Sequence, residues 1–426
     1  MRTRLLIAAV AVLAAGIAAI VVGGGDENPP PRPPAATPSP APTPTPTPTP
    51  PPGPALEQAK DGPSLAVGIT EPNPSFVFAD RDVAPEFVRW RDELAAIRPE
   101  LYRVTVDWSV LQPSAGVEPN LDSPHHGCMR ALPPCAAFAG VRDQLRALAE
   151  RQREGGWQAL VVMTGTPDWA GRSASGCRED ANDGAPRADM LPQYRRVIAA
   201  VLAAAGQEGA TLRYWSPWNE PNHPYFLSPQ RAACDPGARS LAGRPYAALA
   251  RAMRAELAAQ PGDQVLVLGE TAAALERSRR ATTVEELIRA LPRDLVCAAP
   301  VWSQHAYIGG TDPVPTVTRA LDALGCPRPP VVWVTETGVG EAPEGLSFAQ
   351  AVAADRDGCL ELHRQLVTWY ENPRVALAVQ YTLREDDQFP TGLVTTDLAR
   401  ARPALGEWKA WGGGRDPAAP PPAPAC

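Results

Sequence analysis

Lysine is all but absent from this 426-residue chain: Lys60 and Lys409 stand alone, so 38 of the 40 cationic side chains are arginine. An enzyme that works through an imine needs a lysine at the floor of its pocket. Neither lysine closes an apolar run of the sequence, so an aldolase-like chemistry is excluded. The arginine bias, with heavy alanine and proline usage, reads as codon bias first. An excess of positive charge is missing too. With 40 Lys and Arg against 47 Asp and Glu, the formal net charge is −7, and a phosphate-binding surface must be basic, which argues against nucleic acid as a partner. No GxGxxG follows the first apolar run, which removes the main sign of a dinucleotide fold. No cysteine follows the N-terminal apolar segment closely, which argues against a lipid anchor.

What is present begins with a basic start, Met1-Arg-Thr-Arg4, an unbroken apolar run over residues 5–22, and then Asp26-Glu27. That run is long for a signal peptide and just long enough to span a bilayer, with its basic end on the cytoplasmic side. Residues 1–27 are therefore either a cleaved signal or a single-pass membrane anchor, and the rest of the chain is exported in both cases. Residues 28–54 are almost wholly Pro, Ala, Thr and Ser, with four consecutive Thr-Pro pairs from Thr43 to Pro50. Proline fixes φ and removes donors, so this segment reads as an extended polyproline II spacer on the order of 80 Å long. Residues 412–426 form a second Pro-rich tail without expected structure. Residues 55–411 remain as one domain.

Eight cysteines in an exported chain imply disulfides before metal or catalysis. Spacing suggests Cys128 with Cys135, Cys177 with Cys234, and Cys297 with Cys326, which leaves Cys359 and Cys426 by elimination. A metal site built on His125, His126, Cys128 and Cys135 is the weaker alternative.

Short apolar runs recur at residues 65–69, 102–106, 159–163, 212–216, 265–269, 301–304, 331–335 and 376–381. Between them lie periodic helical stretches at 86–97, 141–154, 191–205, 246–260, 284–291, 316–324 and 349–370. Strands alternating with helices imply parallel βαβ units, and eight in one array favour a closed (β/α)8 TIM barrel as a single catalytic domain. Segments following the strands are the long ones, such as 107–140 and 217–244. A barrel builds its active site from those loops, so chemistry belongs at the last residues of each strand.

Two of those ends carry a glutamate. Strand four ends in Tyr-Trp-Ser-Pro-Trp-Asn-Glu-Pro-Asn, residues 214–222, and strand seven in Val-Trp-Val-Thr-Glu-Thr-Gly, residues 332–338. Strands four and seven are nearly opposite in a barrel, so Glu220 and Glu336 face one another over the pocket. Paired carboxyls across a cleft are what glycosidic cleavage requires: one protonates the leaving oxygen and the other meets the oxocarbenium-like carbon. Taken singly, Glu220 as a helix cap and Glu336 as a buried ion-pair partner would be ordinary; the pairing is what carries the functional reading.

Asn219-Glu220-Pro221 after a Trp-rich strand, with a glutamate closing strand seven, resembles the retaining glycoside hydrolases of clan A, which include cellulase-like, mannanase-like and β-xylosidase-like enzymes. The resemblance spans roughly residues 64–411. It implies Glu220 as acid/base, Glu336 as nucleophile, and Asn219 as a hydrogen-bond partner of the sugar 2-hydroxyl. Arg103, five residues ahead of Trp108, resembles the arginine that touches the nucleophile, a surface arginine being the alternative. His305 and Tyr307 resemble a His-x-Tyr pair beside the nucleophile. Trp108 and Trp169 are candidates for an aromatic wall on which sugar faces stack, with ordinary packing the alternative for each. Many clan members carry a tryptophan on strand eight; here Tyr381 stands in that region, followed by Arg384, Asp386 and Asp387 as open substrate contacts. The resemblance implies an extracellular carbohydrate substrate, no cofactor and no metal. It also implies retention of configuration, with carboxyls about 5–5.5 Å apart. A silent carbohydrate-binding barrel and a wall-remodelling transglycosylase are the alternatives, and the missing tryptophan leaves the sugar open.

Overall fold

The computed structural model describes residues 55–123, 140–172, 184–340, 347–385 and 390–426. Eight strands, all parallel, close in chain order into a barrel. They are β1 (Ala66–Thr70), β2 (Leu101–Asp107), β3 (Gln158–Thr164), β4 (Tyr214–Ser216), β5 (Val265–Thr271), β6 (Val301–His305), β7 (Val331–Thr337) and β8 (Val375–Tyr381). Each coincides with one of the eight apolar runs. The helices around them are α1 (Pro85–Ile97), α2 (Trp108–Leu111), α3 (Gly140–Gly155), α4 (Leu191–Glu208), α5 (Gly243–Leu257), α6 (Val284–Ala290), α7 (Arg293–Ala298), α8 (Val314–Asp322), α9 (Phe348–Glu371) and α10 (Ala404–Trp411). Short α2 and α7 carry too few residues for a helical period, so no pattern announces them.

Alternation along each strand sorts its side chains. Leu101, Leu160, Val162, Tyr214, Val267, Val301, Trp333, Leu377 and Val379 form one buried cluster with a contribution from every strand but β1, which adds Ala66. These fill the barrel. The intervening positions, among them Tyr102, Val104, Val161, Leu268, Val332 and Val334, belong to a larger cluster shared with the helices. A barrel of eight strands is just wide enough to be packed solid this way. Leu56 joins the inner cluster where the strands begin, its carbonyl accepting from Trp333 Nε1 at 3.0 Å. Glu57 beside it accepts from Tyr214 Oη and Arg213 Nη2, both at 2.6 Å. That end of the barrel is plugged, and the opposite end is left for the loops.

The tail 412–426 holds neither helix nor strand, as its composition suggests, yet it is docked rather than loose. Leu65 N–H donates to the Pro417 carbonyl at 3.1 Å, Tyr370 Oη to Ala418 at 3.2 Å, and Ala425 N–H to the buried Glu407 carboxylate at 2.8 Å. Cys359 and Cys426 form a disulfide, so the pairing reached by elimination is realised. Cys297, within α7 and just ahead of β6, pairs with Cys326 across a Cα–Cα distance of 5.2 Å. Cys234 is disulfide-bonded; Cys128, Cys135 and Cys177 lie outside the described residues, as do His125, His126 and residues 1–54. Among the described residues no helix is long and apolar enough to cross a membrane.

The disulfide between Cys359 and Cys426 closes a loop with a sequence separation of 67. Cys426→Ser is expected to lower the unfolding free energy by about 2–4 kcal/mol under non-reducing conditions. Denaturant titration measures this, and a loss below about 0.5 kcal/mol would mean that the tail adds nothing beyond surface contacts.

Candidate active site

Chain geometry at the open end of the barrel departs from regular β structure at three strands. After β4, Asn219 N–H donates to the Met163 carbonyl and Glu220 N–H to the Glu270 carbonyl, both at 2.8 Å. Glu220 takes a left-handed φ of 38°, which strains a residue with a Cβ. Around it Trp215 and Trp218 are fully buried, and Tyr194 Oη holds the Pro217 carbonyl at 2.8 Å. On β5 the register against β6 slips between Leu268 and Thr271. Gly269 has φ 106°, and a Cβ there would meet the Ser303 carbonyl oxygen at 2.1 Å, so only glycine fits. Glu270 follows with φ 50°. On β7 the registers against both neighbours slip around Glu336. Bulges of this kind turn a side chain to the other face of a sheet. Glu270 shares its parity with Leu268, and Glu336 with Val332 and Val334, all of which face the helices; the bulges bring both carboxyls inward instead.

The result is one connected cluster. Arg103 on β2 is buried, which rules out its reading as a surface residue, and its Nη2 lies 2.8 Å from Glu336 Oε1. The same guanidinium donates to Asn219 Oδ1 at 2.8 Å and to Glu270 Oε2 from Nε at 3.0 Å and Nη2 at 2.6 Å. Tyr307 Oη donates to Glu336 Oε2 at 2.6 Å. His305, at the end of β6, places Nδ1 2.9 Å from Glu220 Oε1 and 3.3 Å from Glu336 Oε2, and Nε2 3.2 Å from Glu270 Oε2. A carboxylate oxygen of Glu220, one of Glu336 and a ring nitrogen of His305 all lie within 4.8 Å of one another. Glu220, Glu336, Asn219, Arg103, His305 and Tyr307 are thus gathered in one place.

Electrostatics follow from the contacts. Burial opposes a charged His305, but Glu336, Glu220 and Glu270 outweigh it and push the imidazole up to about 10. Burial would raise Glu270, yet Arg103 and His305 hold it well below the usual carboxylate range. Burial and the Glu336 charge lift the Tyr307 phenol well above its ordinary value, so it stays a donor. His305 is therefore an imidazolium at neutral pH with both ring nitrogens donating. Glu220, His305 and Glu336 stand close enough to chelate a cation, but an imidazolium has no lone pair to offer, and Arg103 and Tyr307 already occupy both oxygens of Glu336.

The aromatic candidates divide. Trp169, after β3, is half-buried, its Nε1 donating to the Gln112 carbonyl at 3.0 Å. Trp108 is fully buried in α2, edge-on to Trp169 with centroids 5.8 Å apart and tilted against Tyr194. Trp108 thus has no open face for a sugar; packing holds for it, and it buttresses Trp169. Tyr381, half-buried at the end of β8, stands in electrostatic reach of Arg103 and Tyr307. Arg384 donates from Nε to the Thr396 carbonyl at 2.7 Å. Asp386 and Asp387 lie outside the described residues.

Two buried glutamates escaped the sequence reading. Glu270 sits one residue past the run that ends at Gly269, and Glu71 one past β1. Glu71 accepts from Asn73 N–H at 2.9 Å and Arg384 N–H at 3.0 Å, and burial raises it to about 7. Extending the first run by two residues and the fifth by one would have exposed both.

No protein-family profile and no curated protein matches this sequence. Among solved structures, SrfJ from Salmonella typhimurium superposes with a TM-score of 0.54 at 11% identity, over 85% of this chain and 77% of that one. A GH30 endoxylanase from Clostridium papyrosolvens matches with a TM-score of 0.50 at 10% identity, over 84% and 74%. An endo-β1,6-glucanase matches with a TM-score of 0.51 at 10% identity, over 83% and 76%. At such identities the likeness is one of fold, and the closed (β/α)8 barrel is the fold implied by the resemblance to clan A.

Proposed function

We propose that this protein hydrolyses β-glycosidic bonds in an extracellular oligo- or polysaccharide with retention of configuration, Glu220 acting as acid/base and Glu336 as nucleophile. The observation that carries the reading is the convergence of these two carboxyls, from strands four and seven, to within 4.8 Å around His305. Oxygens brought that close leave little room for the intervening water of an inverting enzyme, whose carboxyl groups stand about 6.5–9.5 Å apart. Glycoside hydrolases among the structures of similar fold support the reaction class. The N-terminal apolar segment and the disulfides support export.

In the first step Glu336 attacks the anomeric carbon while the bond to the leaving oxygen breaks and Glu220 gives that oxygen its proton. A glycosyl ester on Glu336 results. Glu220, now an anion, takes a proton from water, the water oxygen attacks the same carbon, and Glu336 departs as a carboxylate. Arg103 and Tyr307, each holding one oxygen of Glu336, orient it for attack. Asn219, whose Oδ1 is taken by Arg103, has its amide hydrogens to offer the sugar. Trp169 and Tyr381 are the aromatic faces for stacking.

Hydrolysis of a panel of aryl β-glycosides, followed by proton NMR of the first-formed anomer, tests the proposal. The expected product keeps the β configuration. Glu336→Ala should lose activity by at least about 10⁴-fold and recover part of it with azide, which forms an α-glycosyl azide. A first-formed α anomer would sink the retaining mechanism, and sugar binding without turnover on any substrate would favour the silent barrel. Tyr307→Phe removes one hydrogen bond to a charged group and is expected to lower kcat by about 10- to 100-fold. An unchanged kcat would show that Tyr307 does not position the nucleophile.

A further inference from the structure

Glu270 is the group in the cluster that the reaction above leaves unemployed. It is wholly buried and meets no substrate. A buried carboxylate on a strained, bulged backbone is costly to keep, and packing alone would be served by an apolar residue. Among the described residues its side-chain bonding converges on a single atom, Oε2, which receives Arg103 Nε, Arg103 Nη2 and His305 Nε2 at 3.0, 2.6 and 3.2 Å.

We infer that Glu270 is a positioning residue that, through this one oxygen, ties Arg103 to His305 and so keeps a charged Nδ1–H of His305 pointed between Glu220 and Glu336. The inference rests on the retaining reading of the site. Its use in the cycle follows from the two distances at Nδ1, 2.9 Å to Glu220 and 3.3 Å to Glu336. Before attack the imidazolium faces the Glu336 anion. Once Glu336 is an ester, the negative charge has moved to Glu220, and the same N–H serves it without any proton transfer or change of side-chain position. Glu270 keeps its charge throughout and holds the other end of the ring. The charged and titratable groups around His305 are Glu220 on the β4 loop, Glu270 on β5, Glu336 on β7, Arg103 on β2 and Tyr307 just past β6, with Tyr381 at the end of β8 near Arg103. Glu336 and Glu220 add to the proton affinity of His305 as well, but Glu270 alone of the three carboxylates stays ionised while the other two exchange roles, so its contribution persists through the cycle.

The test uses Glu270→Gln, which keeps the shape and removes the charge, with Glu270→Asp to retain the charge at a shorter reach. Ring nitrogens of His305, one of five histidines in the chain, are followed by nitrogen-15 NMR across pH in the intact protein, alongside the pH profile of hydrolysis. In Glu270→Gln the His305 midpoint is expected to fall by at least about one pH unit, and the alkaline limb of kcat/KM by a similar amount. A fall in kcat of about 10- to 100-fold with KM within about threefold is expected, because orientation and not sugar binding is lost. Glu270→Asp should retain more of the high midpoint and more of the rate. If the glutamine variant does not fold, as judged by circular dichroism, the aspartate variant carries the comparison. A His305 midpoint that moves by less than about 0.3 unit in folded Glu270→Gln, or, where only the aspartate variant folds, a kcat within about threefold of the parent, overturns the inference. The NMR reading needs no turnover, so a wild-type protein without glycosidase activity would fail the proposed function while still deciding the role of Glu270.

Discussion

A buried guanidinium organises the open end of this barrel. Arg103 has no access to water, and a cation in that position persists only with its donors satisfied and its charge met. It reaches Glu270 on β5, Asn219 after β4 and Glu336 on β7, so one side chain from β2 fixes the relative placement of three other strand ends. His305 repeats the arrangement from β6. Two cations then face three carboxyl groups, and the cluster is neutral when one carboxyl carries a proton. Donor count separates the three. Arg103, Tyr307 and His305 surround Glu336, and Arg103 and His305 hold Glu270, whereas the Glu220 side chain, the most open of them, accepts from His305 alone among the described residues. That asymmetry supports Glu220 as the proton carrier and gives the two jobs of the proposed mechanism a structural origin.

The same cluster shows what a sequence pattern can and cannot convey. All eight strands were legible because each is a short apolar run, and a parallel barrel strand covered on both faces has to be one. The glutamates of strands four and seven were legible because they close such runs. Glu270 was not, since Gly269 breaks the run one residue early and strict alternation would send the next side chain toward the helices. The register slip at β5 reverses that direction, and a slip arises from the pairing of two strands, which neither strand displays alone. Trp108 misled for a related reason: its burial depends on Trp169 and Tyr194, which arrive from distant parts of the chain. The C-terminal tail, poor in apolar side chains, is held by backbone hydrogen bonds and a disulfide, and composition registers neither.

Strand eight marks the limit of what the fold conveys about specificity. Tyr381 takes the region where a tryptophan was expected from the family pattern, and Arg384, which looked free to meet a substrate, is spent on the Thr396 carbonyl and, through its backbone, on Glu71. The barrel and its polar cluster explain a reaction class. Under the proposed reaction, the choice of sugar would fall to the half-buried aromatics Trp169 and Tyr381.

Strain and function meet at adjacent strands. Among the described residues six non-glycines have positive φ; Glu220 and Glu270 are two of them, and the N–H of the first donates to the carbonyl of the second at 2.8 Å. Each left-handed residue costs about 1–3 kcal/mol, so the surrounding structure must overdetermine both. The cost is sustained by the closed ladder on either side, by Gly269 against Ser303, and by the buried tryptophans under Pro217. Relaxing Glu270 to a regular strand would turn its carboxyl toward the helices and break the bond between them. The acid/base candidate and its silent partner on β5 are therefore held in place by a single backbone linkage, and the rigidity of the barrel is what allows two unfavourable conformations to coexist there.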